Sequence, residues 1–255
     1  MSGFRSAFSF FTILPIKGEL EPDLIAYLPF VSLFDAAVGV SLYVAVYRYS
    51  ILMASFLSIS SIYMLNGLNH VDAVTDTGDA LMVRDKTRLK DVLLDHHIGA
   101  GGLFVFLFIY LLSFISLSAT RPYMAIASII TAEFLSKSTM MLILHRSRPL
   151  FEGIGSAFID MYKRHPYAYT AEFLIIPMAI SLIFPAAIIL ATVLTLLFYV
   201  ILRKLLNLKF GGINGDIAGF TGETVRSILI FTVFMLSQSS MLSTYDILSK
   251  IISLL

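Results

Sequence analysis

Three aspartates with the spacing of one helix face are the residues of this chain best suited to chemistry. Asp72, Asp76 and Asp79 stand at i, i+4 and i+7, and on a helix these positions lie within roughly 60° of one another. Like charges on one stripe repel and lower helix stability unless a cation lies between them. Mg²⁺ takes oxygen ligands and is shared between carboxylates and substrate phosphates. The stripe therefore predicts a metal–phosphate site, and an exposed loop face without a ligand is the alternative.

The composition indicates where this site lies. The chain has 255 residues, of which 58% are hydrophobic and 14% charged, and its mean hydropathy is +0.87. A soluble domain averages about 45–50% apolar and about 25% charged residues, so we expect one all-α, multi-pass integral membrane domain over residues 1–255. The absence of cysteine excludes disulfides, thiolate metal sites and cysteine nucleophiles. A net charge of +1 gives no reason to expect a nucleic-acid partner.

Apolar segments predict about seven transmembrane helices, because each span needs about 20 apolar residues. The apolar segment 173–202 is too long for one upright span, since thirty helical residues reach about 45 Å. Pro185 near its middle favours a helical hairpin there. The predicted spans are 24–46, 51–68, 98–119, 122–144, two within 173–202, and 228–242.

The distribution of basic residues predicts the orientation of these helices. With seven spans, the N-terminus and the loops 69–97, 145–170 and 203–227 share one side of the membrane. That side holds fourteen Lys and Arg residues, and the other side holds three. Because such a bias marks the cytoplasmic side, we expect a plasma-membrane protein with its catalytic loops facing the cytoplasm.

The predicted cytoplasmic loops also collect acids, bases and glycines. Carboxylates would hold an ion, arginines would neutralise phosphate charge, and glycines would let backbone N–H groups approach phosphate oxygens. A plain glycine connector and basic residues that serve only topology remain the alternatives. The residues concerned are His70, Asp95, His96, His97, Arg146, Arg148, Gly211, Gly212, Asn214, Gly215, Asp216 and Glu223.

Ionisable residues within the predicted spans need a partner or a function. Glu133 and Lys137 stand in the favourable i, i+4 order for an ion pair. Lys137 is alternatively directed at the phosphate site. Asp35, in the first span, has no evident partner in the sequence.

Four motifs resemble those of one known family. His70-x-Asp72-x3-Asp76-Thr77-x-Asp79 resembles the pattern H-x-D-G-L-x-D-T-x-D-G, and the segment 211–223 resembles G-G-x-T-G-D-x-x-G-x-x-x-E. Asp95-x3-Gly99-x2-Gly102 is similar to D-S-R-x-G-x-x-G, and the segment 10–15 is similar to F-L-T-R-x-P. The family is cobalamin synthase, also called adenosylcobinamide-GDP ribazoletransferase.

The chain departs from these family patterns at several positions. Ala73 and Ala80 replace glycines, and Asn214 replaces a threonine. His96-His97 replaces Ser-Arg and Ile13 replaces an arginine, and both changes remove positive charge expected near phosphate.

The resemblance implies a transferase that uses Mg²⁺. Ribazole, or its 5′-phosphate, would displace GMP from adenosylcobinamide-GDP to form adenosylcobalamin or its phosphate. Asp72, Asp76, Asp79 and Asp95 would bind the metal, and one of them would act as the base. Substrate contacts would come from His70, His97, Lys137, Arg146, Arg148, Gly211, Gly212, Asn214, Gly215, Asp216 and Glu223.

Two other classes of protein remain open from the sequence. A CDP-alcohol phosphotransferase also uses clustered aspartates at a membrane surface, although its D-x2-D-G-x2-A-R arrangement is not present here. A secondary transporter would use Asp35, Glu133 and Lys137 as coupling residues and Pro185 as a helix break. The oligomeric state and the preferred acceptor do not follow from the sequence.

Overall fold

Helices connected by short loops make up the part of the chain that the structure describes. The computed structural model describes residues 2–95 and 97–238, and no β-strand is present in these ranges. The all-α prediction is therefore confirmed. The helices are α1 (Ser2–Phe11), α2 (Leu28–Val46), α3 (Ile51–Leu65), α4 (Asn69–Met82), α5 (Leu89–Leu93), α6 (Ala100–Ser118), α7 (Pro122–Leu142), α8 (Ile154–Arg164), α9 (Pro166–Ser181), α10 (Ala186–Phe210) and α11 (Gly215–Ser237).

Five of these helices are long and apolar enough to cross a membrane: α2 with its preceding turn, α6, α7, α10 and α11. The helices α3 and α4 together make a sixth candidate, but they are bent by 90° at their junction. With only 16 residues, α9 is shorter than these spans. The structure thus shows a multi-pass helical protein, and the count of seven spans stays a prediction.

The predicted long loop at 203–227 is wrong. The helix α10 continues to Phe210 and α11 begins at Gly215, so only residues 211–214 connect them. The prediction placed the charged residues Glu223 and Arg226 in a loop. In the structure they form ion pairs inside the bundle, so the helix continues through them. The predicted last span accordingly begins too late, and its residues 239–242 lie outside the described part of the chain.

The centre of the bundle is formed by α7 and α11. In their most apolar 18-residue windows, 89% of residues in α7 and 72% in α11 are buried, against 28% in α6. Small residues let these two helices approach closely. A Cβ atom on Gly222 of α11 would lie 3.0 Å from the carbonyl oxygen of Ser136 in α7.

The helix α4, which carries the aspartate stripe, lies between α6 and α11. A Cβ atom on Gly102 of α6 would lie 2.3 Å from the carbonyl oxygen of Thr75. On the other side, a Cβ atom on Gly219 of α11 would lie 2.7 Å from the Cβ atom of Ala73. Because these two positions are glycines, α6 and α11 can pack closely against α4 from both sides and fix its position.

The turn between α3 and α4 directs α4 across the end of the bundle. Gly67 and Leu68 both adopt left-handed backbone, with φ of 64° and 61°. The Leu68 N–H donates to the carbonyl oxygen of Tyr63 at 3.1 Å, a hydrogen bond typical of a helix C-terminus that ends in left-handed residues. A sharp turn here positions the aspartate stripe beside α6 and α11 rather than continuing the span.

We predict that Gly102→Ala destabilises the protein by about 1–3 kcal/mol, because the new methyl group would meet the backbone of Thr75, which can move only with α4. Gly215→Ala is the matched control, since a Cβ atom there meets no heavy atom within 4 Å. The chain has no Trp and no Cys, so thermal unfolding in detergent is best followed by circular dichroism at 222 nm. Equal melting temperatures for the two variants would contradict the close packing of α4 and α6.

Candidate active site

The predicted site residues gather at one end of the bundle. The helices α3, α7 and α10 end there, and α6 and α11 begin there, because short connections at 47–50, 119–121 and 182–185 turn the chain at the opposite end. The amide of Gln238 donates to the carbonyl oxygen of Ala119 at 3.3 Å, which joins the last described turn to that opposite end. The fold thus collects residues from several distant segments.

Carboxylates converge on Asp76. Burial raises the pKa of Asp76 most, and the neighbouring carboxylates of Asp72, Asp216, Asp79 and Asp95 add to this effect in that order, which together bring the pKa to about 7. The structure therefore brings the four predicted acids into one electrostatic group and adds Asp216 from α11. Near neutral pH, the Asp76 carboxyl is ionised in only part of the molecules.

Asp79 has a structural contact that the sequence did not reveal. Its Oδ2 atom accepts the Gly99 N–H at 2.7 Å, and its Oδ1 atom accepts the Gly102 N–H at 2.9 Å. These donors belong to the N-terminus of α6, where a negative charge also interacts favourably with the helix dipole. Asp79 thus attaches α4 to α6, and each oxygen keeps a second lone pair for another partner.

Asp95 and His97 form an exposed pair beside this group. The Oδ1 atom of Asp95 accepts the His97 backbone N–H at 3.1 Å and lies 2.7 Å from its Nδ1 atom. The predicted phosphate contact of His97 stays a prediction. His96, which the sequence analysis grouped with these loop residues, lies outside the described residues.

The acidic group does not yet have the geometry of a metal centre. Among residues 2–95 and 97–238, no three His, Asp or Glu side chains lie close enough together to hold an ion as they stand. The donors are carboxylate oxygens, which suit a hard divalent cation such as Mg²⁺, so the donor chemistry fits the predicted metal.

The predicted glycine-rich loop joins two segments of the site. Gly211 ends α10 in left-handed backbone with φ of 73°, a conformation that favours glycine. A Cβ atom on Gly212 would lie 2.9 Å from the Cα atom of Leu150. The Ile213 N–H donates to the carbonyl oxygen of Arg148 at 2.9 Å, and Leu150 returns a hydrogen bond to Ile213 at 3.0 Å.

Asn214 begins α11 and orients an acid of the site. Its Oδ1 atom accepts the Ile217 N–H at 3.0 Å, which caps the helix, and its amide donates to the Asp216 carboxylate at 2.7 Å. Asparagine therefore replaces the threonine of the family pattern without loss of the cap. A Cβ atom on Gly155 would lie 2.6 Å from the Gly215 nitrogen, so α8 also packs against this helix start.

Arg146 and Arg148 lie on the segment that follows α7, with exposed side chains. Arg146 adopts left-handed backbone with φ of 56°. Neither side chain belongs to the lining of the cavity described next. Their predicted contact with phosphate stays a prediction.

A cavity of about 340 Å³ is lined by both polar and apolar residues. We call the polar part of its lining the polar wall and the apolar part the apolar wall, and such a mixed lining suits a ligand with a charged and an apolar part. The polar wall consists of Asn66, Asn69, His70, Asp72 and Asp216, next to the backbone of Gly155 and Gly215. The apolar wall consists of Phe10, Phe11, Met140, Met141, Leu144, Ile154 and Phe158, and Ala73, Ala218 and Gly219 complete the lining.

A buried chain of ion pairs lies behind the polar wall. The Nδ1 atom of His70 lies 2.7 Å from Glu223, whose other oxygen accepts a hydrogen bond from Arg226. Arg226 also binds Glu133 through two hydrogen bonds of 2.6 and 2.9 Å. The guanidinium lies 5.6 Å from the ring centre of Tyr63. Glu223 is fully buried with both oxygens engaged, so it meets the cavity only through His70.

The predicted pair of Glu133 with Lys137 is therefore wrong. Arginine presents two parallel donors to Glu133, which a single ammonium cannot match. Lys137 instead lies 3.2 Å from Asp35, and its ammonium donates to Asn66 at 3.1 Å. Asn66 in turn donates to Asp35 at 3.2 Å. The partner of Asp35 that the sequence did not reveal is this lysine, which contacts the cavity only through Asn66.

The sequence analysis did not identify the lining residues Asn66 and Phe158 as parts of the site, nor the buried Arg226 behind the polar wall. Asn66 lies directly before the turn at Gly67. Its position as a polar residue at the end of an apolar segment could have indicated that it belongs to the site. Phe158 lies on the short helix α8, and nothing in its sequence context distinguishes it from a packing residue. Arg226 was assigned to a loop, although its i, i+3 spacing from Glu223 is compatible with an ion pair on one helix.

The fold and site define a multi-pass helical membrane protein with an acidic cavity at one end of its bundle. The family model for cobalamin-5-phosphate synthase matches residues 3–235. The chain belongs to this family.

Curated relatives agree with this assignment. The chain is similar to the adenosylcobinamide-GDP ribazoletransferase of Thermoplasma acidophilum, with 58% identity over 99% of both chains. It is 43% identical to the enzyme of the same name from Thermoplasma volcanium, over 99% of this chain and 98% of the relative. The Picrophilus torridus relative is 31% identical over 92% and 98%. No solved structure matches the chain significantly.

We predict that Asp76→Asn stabilises the protein in buffer free of divalent cations. The pKa of Asp76 in the folded protein, about 7, lies above its ordinary value of 3.8. The folded state therefore binds the proton more tightly, and stability falls as the pH rises from about 4 to about 7. At pH 8 the amide should raise the melting temperature by a few degrees, because it removes the repelling charge.

Asp160→Asn is the control for this prediction, since Asp160 is an exposed acid that pairs with Lys163 at 2.9 Å. Melting curves of the wild type and both variants at pH 5 and pH 8, recorded with a chelator present, provide the comparison. A lower melting temperature for Asp76→Asn at pH 8 would show that the carboxylates do not repel one another.

We predict that Lys137→Met destabilises the protein by about 3–5 kcal/mol, because it leaves the Asp35 carboxylate buried without its cation. The double variant Lys137→Met/Asp35→Asn should recover much of this loss. Thermal unfolding of both single variants and the double variant measures the coupling between the two side chains. Strictly additive losses would mean that the two groups do not interact.

Proposed function

We propose that this protein is an adenosylcobinamide-GDP ribazoletransferase, which joins α-ribazole or its 5′-phosphate to adenosylcobinamide-GDP and releases GMP. The observation that carries the proposal is the group of carboxylates around Asp76, two of which, Asp72 and Asp216, line a cavity at one end of the bundle. Family membership and the names of the relatives support the same reaction. Both favour it over a CDP-alcohol phosphotransferase or a secondary transporter.

The reaction is a phosphoryl-group transfer within a diphosphate. A ribose hydroxyl oxygen of the nucleoside attacks the phosphorus that bears the cobinamide side chain. A new phosphorus–oxygen bond forms, the bond to GMP breaks, and the hydroxyl proton passes to a base. Cavity carboxylates are suited to accept this proton, because they lie beside the space that the nucleoside would occupy.

Asp72, Asp76 and Asp216, with Asp79 and Asp95 beside them, would hold Mg²⁺. When bound, the ion would neutralise charge on the diphosphate and on the departing GMP. The chain itself supplies the positions of these acids. Asn214 orients Asp216, and Asp79 anchors α4 to α6 through two backbone N–H groups.

His70 faces the cavity with a fixed ring orientation. Its Nδ1 atom is engaged by Glu223 at 2.7 Å, and the residue lines the polar wall. The Nε2 atom is therefore the ring nitrogen that remains for a substrate oxygen. We propose that His70 binds the nucleotide in this way, with Glu223 and Arg226 as positioning residues behind it.

We also propose how the protein is oriented in the membrane. Basic residues gather at the end of the bundle that carries the cavity, and this bias indicates a cytoplasmic side. Arg84, Lys86, Arg88, Lys90, Arg146, Arg148, Lys163 and Arg164 lie in segments of this end. We therefore propose that the cavity opens to the cytoplasm from the plasma membrane, where its nucleotide substrates would be available.

We predict that Asp76→Asn lowers the rate of GMP release at least about 100-fold while the protein stays folded, since the central carboxylate of the proposed metal-binding group is lost. The assay mixes purified protein in detergent with adenosylcobinamide-GDP, α-ribazole and Mg²⁺, and detects cobalamin and GMP by chromatography. Asp160→Asn should keep wild-type turnover, because Asp160 is an exposed acid that does not line the cavity.

The wild-type enzyme should lose this turnover in excess EDTA and regain it when Mg²⁺ is restored. Full activity of Asp76→Asn, or turnover that EDTA leaves unchanged, would refute the metal–phosphate assignment. Uptake of a labelled solute into proteoliposomes without any GMP release would instead support a transporter.

A further inference from the structure

The apolar wall of the cavity differs in chemistry from the polar wall, because it consists of aromatic and aliphatic side chains. We infer that Phe10, Phe11 and Phe158, here called the aromatic wall, bind the planar base of the nucleoside acceptor and select a base with an apolar edge. This inference rests on the proposed transferase reaction, and it assigns the acceptor half of that site.

The aromatic wall is assembled from two helices far apart in the sequence. The ring centre of Phe158 on α8 lies 5.1 Å from that of Phe10 and 5.9 Å from that of Phe11 on α1. Phe10 and Phe11 lie 4.9 Å apart with their planes at 73°. Tilted contacts of this kind support one another, so the three rings present a preformed apolar surface rather than separate flexible side chains.

The other large apolar residues of the cavity lining are Met140, Met141, Leu144 and Ile154. With the three rings they form a part of the lining whose side chains carry no N–H or O–H group. A guanine base carries donors and acceptors along its edge, and burying them there without partners would be unfavourable. A benzimidazole base, whose outer edge carries only C–H or methyl groups, leaves no polar group unpaired. The aromatic wall therefore suits the base of ribazole better than the base of GMP.

The size of the cavity supports the same assignment. At about 340 Å³, it lies near the lower limit for small-molecule sites, about 300–1,000 Å³. A nucleoside fits within such a space, whereas a corrin ring system is far larger and must stay outside it. Only the diphosphate end of adenosylcobinamide-GDP would then reach the acids, and the rest of the cavity is left for the acceptor.

The packing of α8 connects the two walls. A Cβ atom on Gly155 would lie 2.6 Å from the Gly215 nitrogen and 2.9 Å from the Asn214 Cα atom. Gly155 precedes Phe158 on the same helix, and Gly215 precedes Asp216. The base on the aromatic wall and the ribose beside Asp216 would therefore be held in one fixed relation, which in-line attack requires.

Phe158→Leu tests the assignment, because it keeps an apolar side chain and removes the aromatic ring. Steady-state kinetics of the full-length enzyme should show KM for α-ribazole raised at least about 10-fold, the effect expected when one base–aromatic contact is lost. KM for adenosylcobinamide-GDP should change less than about twofold. Phe104→Leu is the control, since Phe104 is 65% exposed on the outer face of α6, and both of its KM values should match the wild type.

The choice of acceptor provides a second measurement on the same variants. The wild type should prefer α-ribazole to the corresponding adenine nucleoside, and Phe158→Asn should reduce this preference because the amide can bind a polar base edge. Phe10→Leu replaces Phe158→Leu if the latter does not fold. A raised KM for adenosylcobinamide-GDP with an unchanged KM for α-ribazole would overturn the inference and assign the wall to guanine.

Direct binding separates this inference from the proposed reaction. Equilibrium dialysis of α-ribazole against wild type, Phe158→Leu and Phe104→Leu needs no turnover. Loss of binding in Phe158→Leu alone would support the aromatic wall even if no GMP were released, in which case the proposed function alone would fail. Equal binding by all three proteins would overturn the inference even if the transferase reaction were confirmed.

Discussion

The ion pairs of Arg226 are the interaction on which the rest of this structure depends. The guanidinium of Arg226 binds Glu133 of α7 and Glu223 of its own helix, α11. Glu223 in turn contacts His70 of α4. Buried charges in an apolar bundle are very unfavourable unless each is paired. Because all the members of this chain are paired, the charges join three helices at the depth just behind the cavity. The position of the aspartate helix is thus set by electrostatics as well as by packing.

The group of acids beside the cavity lowers the stability of the folded protein. Carboxylates from α4, α11 and the segment before α6 come near one another, and the pKa of Asp76 is raised first by burial and then by their repulsion. Such a group persists only when its surroundings hold it. Here the close approach of α4 to Gly102 and Gly219, together with the attachment of Asp79 to the start of α6, supplies that constraint. The positions of these acids are therefore fixed by the fold around them rather than by contacts among the acids themselves.

Local patterns predicted much of this protein because they act over a few residues. The periodicity of Asp72, Asp76 and Asp79 predicted a helical stripe, which α4 confirms. Apolar length predicted the multi-pass helical fold. The same reasoning failed for charged residues that are buried. Glu223 and Arg226 resemble loop residues in the sequence, yet they lie buried within α11. Composition alone cannot show that two opposite charges neutralise each other, because their partners come from other helices.

The amino-acid sequence by itself determined the class of fold, the membrane setting and the acids suited to hold a cation, since each depends on hydrophobicity or on spacing along one helix. Only the tertiary structure decided which side chains meet. It paired Lys137 with Asp35 instead of Glu133, brought Asp216 near Asp72 and Asp76, and placed Phe158 in the same cavity lining as Asp72 and Asp216. The physical reason is that these residues lie far apart in the sequence, as do His70 and Glu223, which are 153 positions apart. Their geometry follows from helix crossings and burial, which no local pattern records.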